Sequence, residues 1–145
     1  MIFNTTYNNK EQKELITDLI GKPYSFFQAI RMKGVGSKRM IIEEVSPNMS
    51  GYINKVSDIN YANIEIRKQG IIIHINKGLE TFSWAIPFYQ LVTYKTIGIS
   101  FHAQGKFIRF KANRTYRENR DFFTKLQELK AQYDNQFQIL NSTYS

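Results

Sequence analysis

The chain contains no cysteine. That excludes disulfides, a thiolate nucleophile and any zinc site built on cysteine. It also fits a reducing compartment. No window holds 18 uninterrupted apolar residues, so no segment reads as a membrane-spanning helix. The opening residues, MIFNTTYNNKEQ, lack the basic stretch followed by an apolar one that marks a secretory signal. A cytoplasmic protein is the expectation. The Asn-x-Ser/Thr matches at Asn4, Asn48, Asn113 and Asn141 are then accidents of an asparagine-rich chain.

Histidine is scarce: only His74 and His102 occur. Neither has a partner at ligand spacing, so no metal and no cofactor are expected. The stretch GVGSK, Gly34 to Lys38, fails the phosphate-loop pattern because Ser37 separates Gly36 from Lys38. No Ser, His and acid set can be assembled from sequence. The chain therefore reads as not an enzyme, with no catalytic residue assigned.

What is present is 145 residues with 20 Lys and Arg against 12 Asp and Glu, a formal net charge of +8. The length fits one domain, and a compact chain of this size buries about 70% of its unfolded surface. The charge favours phosphates, acidic lipid headgroups or acidic proteins as partners, or serves solubility alone.

A helix is expected from Asn9 to Ile20. Asn8 or Asn9 caps it, Leu15, Ile16, Leu19 and Ile20 form its apolar stripe, and Gly21 and Pro23 stop it. Residues 24–56 are hard to read. YSFFQAIRM suits strand or helix, RMIIEEV leans to strand, and KGVGSK and SPNMSG read as loops.

From Ile59 the alternation sharpens. Ile64 and Ile66 mark one strand, and Ile71, Ile73 and Ile75 the next, with Ile72, His74 and Asn76 opposite. Phe82, Trp84 and Ile86 share a third strand face, which predicts a buried Trp84. Pro87 marks a break or edge, and FYQLVTYK resumes as strand. Ile97, Ile99 and Phe101 follow, then a Gln104–Gly105 hairpin turn and the strand KFIRFKA. Thr115 and Glu118 have capping-box spacing. They precede a helix with Phe122, Leu126, Leu129 and Tyr133 on one face, ending near Asp134, with Phe137 and Leu140 available to extend it.

This order, with Trp84-Ala85-Ile86-Pro87-Phe88-Tyr89-Gln90-Leu91 in the middle, a hairpin at Gly105 and the helix carrying Phe122, Leu126 and Leu129, resembles the bacterial pleckstrin-homology-like (PH-like) domains over Ile59 to Tyr133. The resemblance implies an α+β fold, a roll or partly open barrel of six or seven antiparallel strands capped by a C-terminal amphipathic helix. Six strands are clear, so the seventh must come from residues 24–56, and the N-terminal helix is extra. Residues 1–51 read as an N-terminal helix and extension packed on a main domain of residues 52–145. The resemblance also implies a binding or scaffolding module. Arg67 and Lys68 stand at a turn that lipid-binding members use, without their fuller basic signature.

Two basic clusters remain. One is Arg31, Lys33, Lys38 and Arg39 around the glycine loop. The other is Lys106, Arg109, Lys111, Arg114, Arg117 and Arg120. Each is a candidate anion-binding patch, with a plain solvated face as the competing reading. The expected work is protein–protein interaction through a groove or strand edge. The alternative is binding of nucleic acid, with Phe107 and Tyr116 as stacking residues, or of an anionic membrane surface.

Overall fold

The structure is a computed structural model. It describes residues 1–54 and 59–144, with side chains through residue 136. Its strands are β1 (Ile2–Asn4), β2 (Met40–Val45), β3 (Tyr61–Arg67), β4 (Gly70–Lys77), β5 (Glu80–Pro87), β6 (Val92–Tyr94), β7 (Ile99–Ala103) and β8 (Lys106–Phe110). The helices are α1 (Lys10–Ile20), α2 (Phe26–Arg31), α3 (Arg114–Glu118) and α4 (Arg120–Tyr144). The eight strands form one open antiparallel sheet in the order β1-β5-β4-β3-β2-β8-β7-β6. The architecture is α+β, as the residues imply.

The central strand is β2. Its first half pairs with β3 through Met40↔Ala62 and Ile41↔Tyr61. Its second half pairs with β8, with a register shift between Ile42 and Glu44. A bulge of this kind bends a strand and lets it serve two sheet halves. The N-terminal segment thus supplies both this strand and the edge strand β1. Of residues 24–56, positions 55 and 56 lie outside the described residues.

The alternation read from Ile64 onward sets the two faces of the sheet. Ile64, Ile66, Ile71, Ile73, Ile75, Trp84, Ile86, Ile99, Phe101, Ile108 and Phe110 form one cluster, joined by Phe122, Phe123 and Leu126 of α4. Trp84 is fully buried, and its indole N–H donates to Gln104 Oε1 at 3.2 Å. On the other face Ile72 and Ala85 pack with Phe3 and with Ile16 and Ile20 of α1. Covered on both faces, β4 reads as the nearly continuous apolar run GIIIHI. Asn9 Oδ1 caps α1 by accepting from Gln12 N–H, and Gly21 ends it at φ 87°.

Several expectations need correction. Among the described residues there are eight strands rather than six or seven. The addition is β1, three residues long, which carries too little pattern to read. FYQLVTYK is not all strand: Phe88–Gln90 is a 3₁₀ turn after Pro87, and only Val92–Tyr94 is extended. Its turn tucks Phe88 into the core, 5.7 Å from Tyr133 of α4 between ring centres. Ile97 does not share the face of Ile99. It lies before β7 and is exposed. SPNMSG is mostly a 3₁₀ helix, Pro47–Tyr52, that buries Met49.

The capping box at Thr115 and Glu118 does not form. Asn113, two residues earlier, accepts from Tyr116 N–H, Thr115 Oγ donates to Asn113, and Glu118 instead faces Arg114 and Lys38. A capping box does form at Ser25 and Gln28 and starts α2, so YSFFQAIRM is helical from Phe26 to Arg31. The last helix passes Asp134 and runs to Tyr144. The side chains of Phe137 and Leu140 lie outside the described residues.

Candidate functional site

Among the described residues the open sheet leaves β6 as an edge, paired only with β7 through Val92↔His102, Thr93↔Phe101 and Tyr94↔Ser100. Helix α4 runs alongside this edge, anchored by buried Phe122, Phe123 and Leu126. The two elements frame a seam with two successive hollows. One, of about 320 Å³, is lined by Leu91, Val92, Thr93, Leu126, Gln127, Lys130, Ala131 and Asp134. Its walls are mostly apolar, and the Lys130–Asp134 ion pair at 2.9 Å closes one rim. The other, of about 460 Å³, lies toward the start of α4 and is lined by Lys95, Tyr116, Arg117, Arg120, Phe123 and Thr124.

The second hollow is the basic end of the seam. Its cations come from the loop after β6 (Lys95), from α3 (Arg117) and from the start of α4 (Arg120). Among the described residues no carboxylate lies at ion-pair distance from any of the three. Tyr116 and Phe123 pack 5.5 Å apart between ring centres and give the hollow an aromatic wall. Like charges gathered beside a low-polarity wall raise the local concentration of anions.

The other candidate cations are dispersed. Arg109 pairs with Glu44 at 2.8 Å, with its Nε buried and without a partner. Arg114 pairs with Glu118 at 3.1 Å, and Lys38 approaches the same carboxylate at 3.8 Å. Arg39 lies over the Tyr61 ring at 4.9 Å. Lys111 is exposed just after β8. Arg31 and Lys33 are exposed at the end of α2, away from the seam. Of the ten basic residues in the two clusters only Arg117 and Arg120 share a hollow. Lys95 completes it, and its only sequence signal is a basic residue in a short loop after a strand.

Two Ser–His pairs also form. Ser83 Oγ lies 2.8 Å from His74 Nδ1 and 2.6 Å from Thr5 Oγ1. Ser83 is fully buried, so this chain of contacts ties the N-terminal segment across β5 and β4 and offers no nucleophile. Ser100 Oγ lies 3.0 Å from His102 Nε2 in a hollow shared with Glu44 and Arg109. There Glu44 is engaged by Arg109, and its carboxylate does not orient the imidazole as a catalytic triad requires. His102 is stacked on Phe107 at 5.2 Å and meets Tyr94 edge-on at 4.9 Å. Burial holds both histidines below the ordinary imidazole pKa. At His74, Glu65 opposes that shift and Arg67 adds to it.

Among the described residues no group of three or more His, Asp or Glu is placed to hold a metal ion, and no helix is long and apolar enough to cross a membrane. Comparisons with family models, with curated proteins and with solved structures find no match to this chain, so the reading of its function rests on the geometry of the seam.

Proposed function

We propose that this chain is a non-catalytic, cytoplasmic binding module on a PH-like roll, and that it takes an extended peptide of a partner protein into the β6–α4 seam. The roll is supported by seven consecutive strands, β2 to β8, followed by a helix that closes the core, with β2 bridging the two halves. The observation that carries the binding mode is that the free edge of β6 forms one wall of the groove.

An edge strand presents unpaired N–H and C=O groups, and a peptide that adds as a further strand satisfies them. Alternate side chains of such a peptide would then point into the apolar hollow against Leu91, Val92, Leu126 and Ala131. Its acidic or phosphorylated end would reach Lys95, Arg117 and Arg120. Nucleic acid is the weaker reading, because Phe107 has one face against His102 and Tyr116 packs on Phe123. Those contacts occupy the ring faces that base stacking uses.

Selection of a displayed random-peptide library on the whole protein tests this reading. The selected peptides should shift the backbone amide signals of Val92, Thr93 and Tyr94, slow hydrogen exchange at those of the three whose N–H faces away from β7, and carry acidic residues toward one end. Proline at a β6 position whose N–H faces away from β7 removes an edge donor and should abolish that binding while leaving the melting curve near the parent's. Peptides that shift other strands and bind that proline variant unchanged would refute the edge-strand mode.

A further inference from the structure

Helix α2 buries none of its side chains. Phe26, Phe27 and Ile30 are 74%, 78% and 59% exposed. Positions three and four apart on a helix are neighbours, so these three side chains form a single apolar knuckle. The rings of Phe26 and Phe27 meet edge-on at 5.8 Å. Scattered exposed apolar residues are ordinary, whereas a contiguous cluster of large ones marks a surface that is covered in use.

The knuckle is held rather than loose. Ser25 Oγ accepts from Gln28 N–H at 3.2 Å, and Gln28 Oε1 accepts from Ser25 N–H at 3.0 Å, which closes both ends of the first turn. On the near side the Gly21 carbonyl accepts from Arg67 at 3.2 Å, and Tyr24 packs against the main core. On the far side the Gly34 carbonyl accepts from Lys125 Nζ at 2.6 Å, and the Val35 carbonyl accepts from Ile66 N–H at 2.7 Å. A six-residue helix with no buried face persists because its cap and both flanks fix it.

The charge along this segment has one sign. From Gly21 to Ile42 the chain carries Lys22, Arg31, Lys33, Lys38 and Arg39 and no Asp or Glu. Arg31 lies one turn beyond Phe27, and Lys68 reaches over the Tyr24 ring at 6.0 Å. Opposing charges lie outside the segment: Glu118 beside Lys38, Glu65 paired with Arg67, and Asp121 and Glu128 of α4 in the hollow that Lys33 also lines.

We infer that α2 is a membrane-contact element, in which Phe26, Phe27 and Ile30 enter the interface of an anionic bilayer while Lys22, Arg31 and Lys33 engage its headgroups. The length of α2 favours a bilayer over a protein groove. Groove-binding helices present anchors over two or more turns, and α2 offers a single turn of apolar side chains. An interfacial apolar cluster needs only to reach roughly 5–10 Å into the headgroup boundary, and basic neighbours strengthen it on acidic lipid. The β6–α4 seam lies on the other flank of α4, so a membrane-bound chain keeps the seam free, and the two readings stand or fall separately.

The test uses the whole protein with vesicles of phosphatidylcholine, with and without phosphatidylserine. The parent should float with the phosphatidylserine vesicles and far less with phosphatidylcholine alone. The double variant Phe26→Gln, Phe27→Gln should weaken that binding by roughly tenfold or more with an unchanged melting curve, since neither ring is part of the core. Arg31→Glu with Lys33→Glu should remove the preference for the acidic lipid. In Phe27→Trp, the added tryptophan emission should shift blue on binding and be quenched by brominated acyl chains. Equal flotation of parent and double Gln variant, or an emission of the Phe27→Trp variant that vesicles leave unchanged, would overturn the inference. So would a parent dimer in sedimentation equilibrium that the double Gln variant converts to monomer, because the knuckle would then cover a second copy of the chain.

Discussion

Asn119, buried at the junction of α3 and α4, brackets Lys38 at the entrance to β2: its Oδ1 accepts from the Lys38 N–H at 2.8 Å, and its Nδ2 donates to the Lys38 carbonyl at 3.3 Å. The same Nδ2 donates to the Thr115 carbonyl at 2.8 Å. One side chain therefore fixes the helix pair that carries Arg117 and Arg120 to the strand that joins the two halves of the sheet. Asn119→Ala leaves part-buried backbone groups of Lys38 and Thr115 without this partner, at a cost of about 1–3 kcal/mol. Urea unfolding should show an earlier midpoint with an unchanged slope. A variant as stable as the parent would mean that water replaces the amide.

Gly70 is a second point with no slack. A Cβ there would stand 2.3 Å from the Ile86 carbonyl oxygen and 2.6 Å from Ile20 Cγ2. The first obstacle is the backbone of the paired strand β5, and the second is the end of α1. Gly70→Ala should cost about 1–3 kcal/mol by overpacking. If the strand backbone is the controlling contact, adding Ile20→Ala gives no rescue and lowers stability further by opening a cavity. Recovery of the parent's unfolding midpoint in the double variant would place the whole conflict at α1.

The central strands were legible because their pattern and their burial agree. Ile64 to Phe110 alternate along strands that have a buried inner face, and Gln104 and Gly105, both at positive φ, make the tight turn that the dipeptide predicts. Asn9 and Gly21 framed α1 for the same local reason. The pattern misled where apolar residues do not face the core. Ile97, read onto the face of Ile99 and Phe101, is exposed, and the exposure of Phe26 and Phe27 has no signal in a stretch that suits strand or helix alike. At Thr115 a competing cap two residues upstream took the helix start. The basic end of the seam was half legible. Arg117 and Arg120 are one turn apart in sequence, whereas Lys95 joins them only through the path of the β6–β7 loop.

Protonation of the half-buried His74 should make stability depend on pH. Burial lowers the His74 pKa below its ordinary 6.5, with Glu65 opposing and Arg67 reinforcing the shift. The unfolded chain therefore binds the proton first as pH falls past about 6.5, and the folded chain binds it only at lower pH. In that window the unfolded state holds more protons, so stability declines as pH drops. His74→Gln keeps a partner for Ser83 Oγ and removes the titration. Its melting temperature should fall less than the parent's between about pH 7.5 and pH 5.5. Parallel curves for parent and variant would show that His74 titrates alike in both states.

The basic end of the seam combines three cations that have no carboxylate partner among the described residues with the rings of Tyr116 and Phe123, so it should prefer an anion that carries an aromatic group. Phenyl phosphate should shift the amide signals of Lys95, Arg117 and Arg120 at lower concentration than inorganic phosphate does, because its ring meets the aromatic wall. Arg117→Glu with Arg120→Glu should abolish both responses, whereas Arg109→Glu with Lys111→Glu should leave them, since Arg109 is already held by Glu44 outside this hollow. Tyr116→Ala should reduce phenyl phosphate to the strength of inorganic phosphate. Added salt should weaken every one of these contacts, as screening shortens the reach of exposed charges to about 8 Å at physiological ionic strength. If the Arg109 and Lys111 reversal silences the response and the Arg117 and Arg120 reversal does not, the anion site belongs to β8 and the seam loses its basic end.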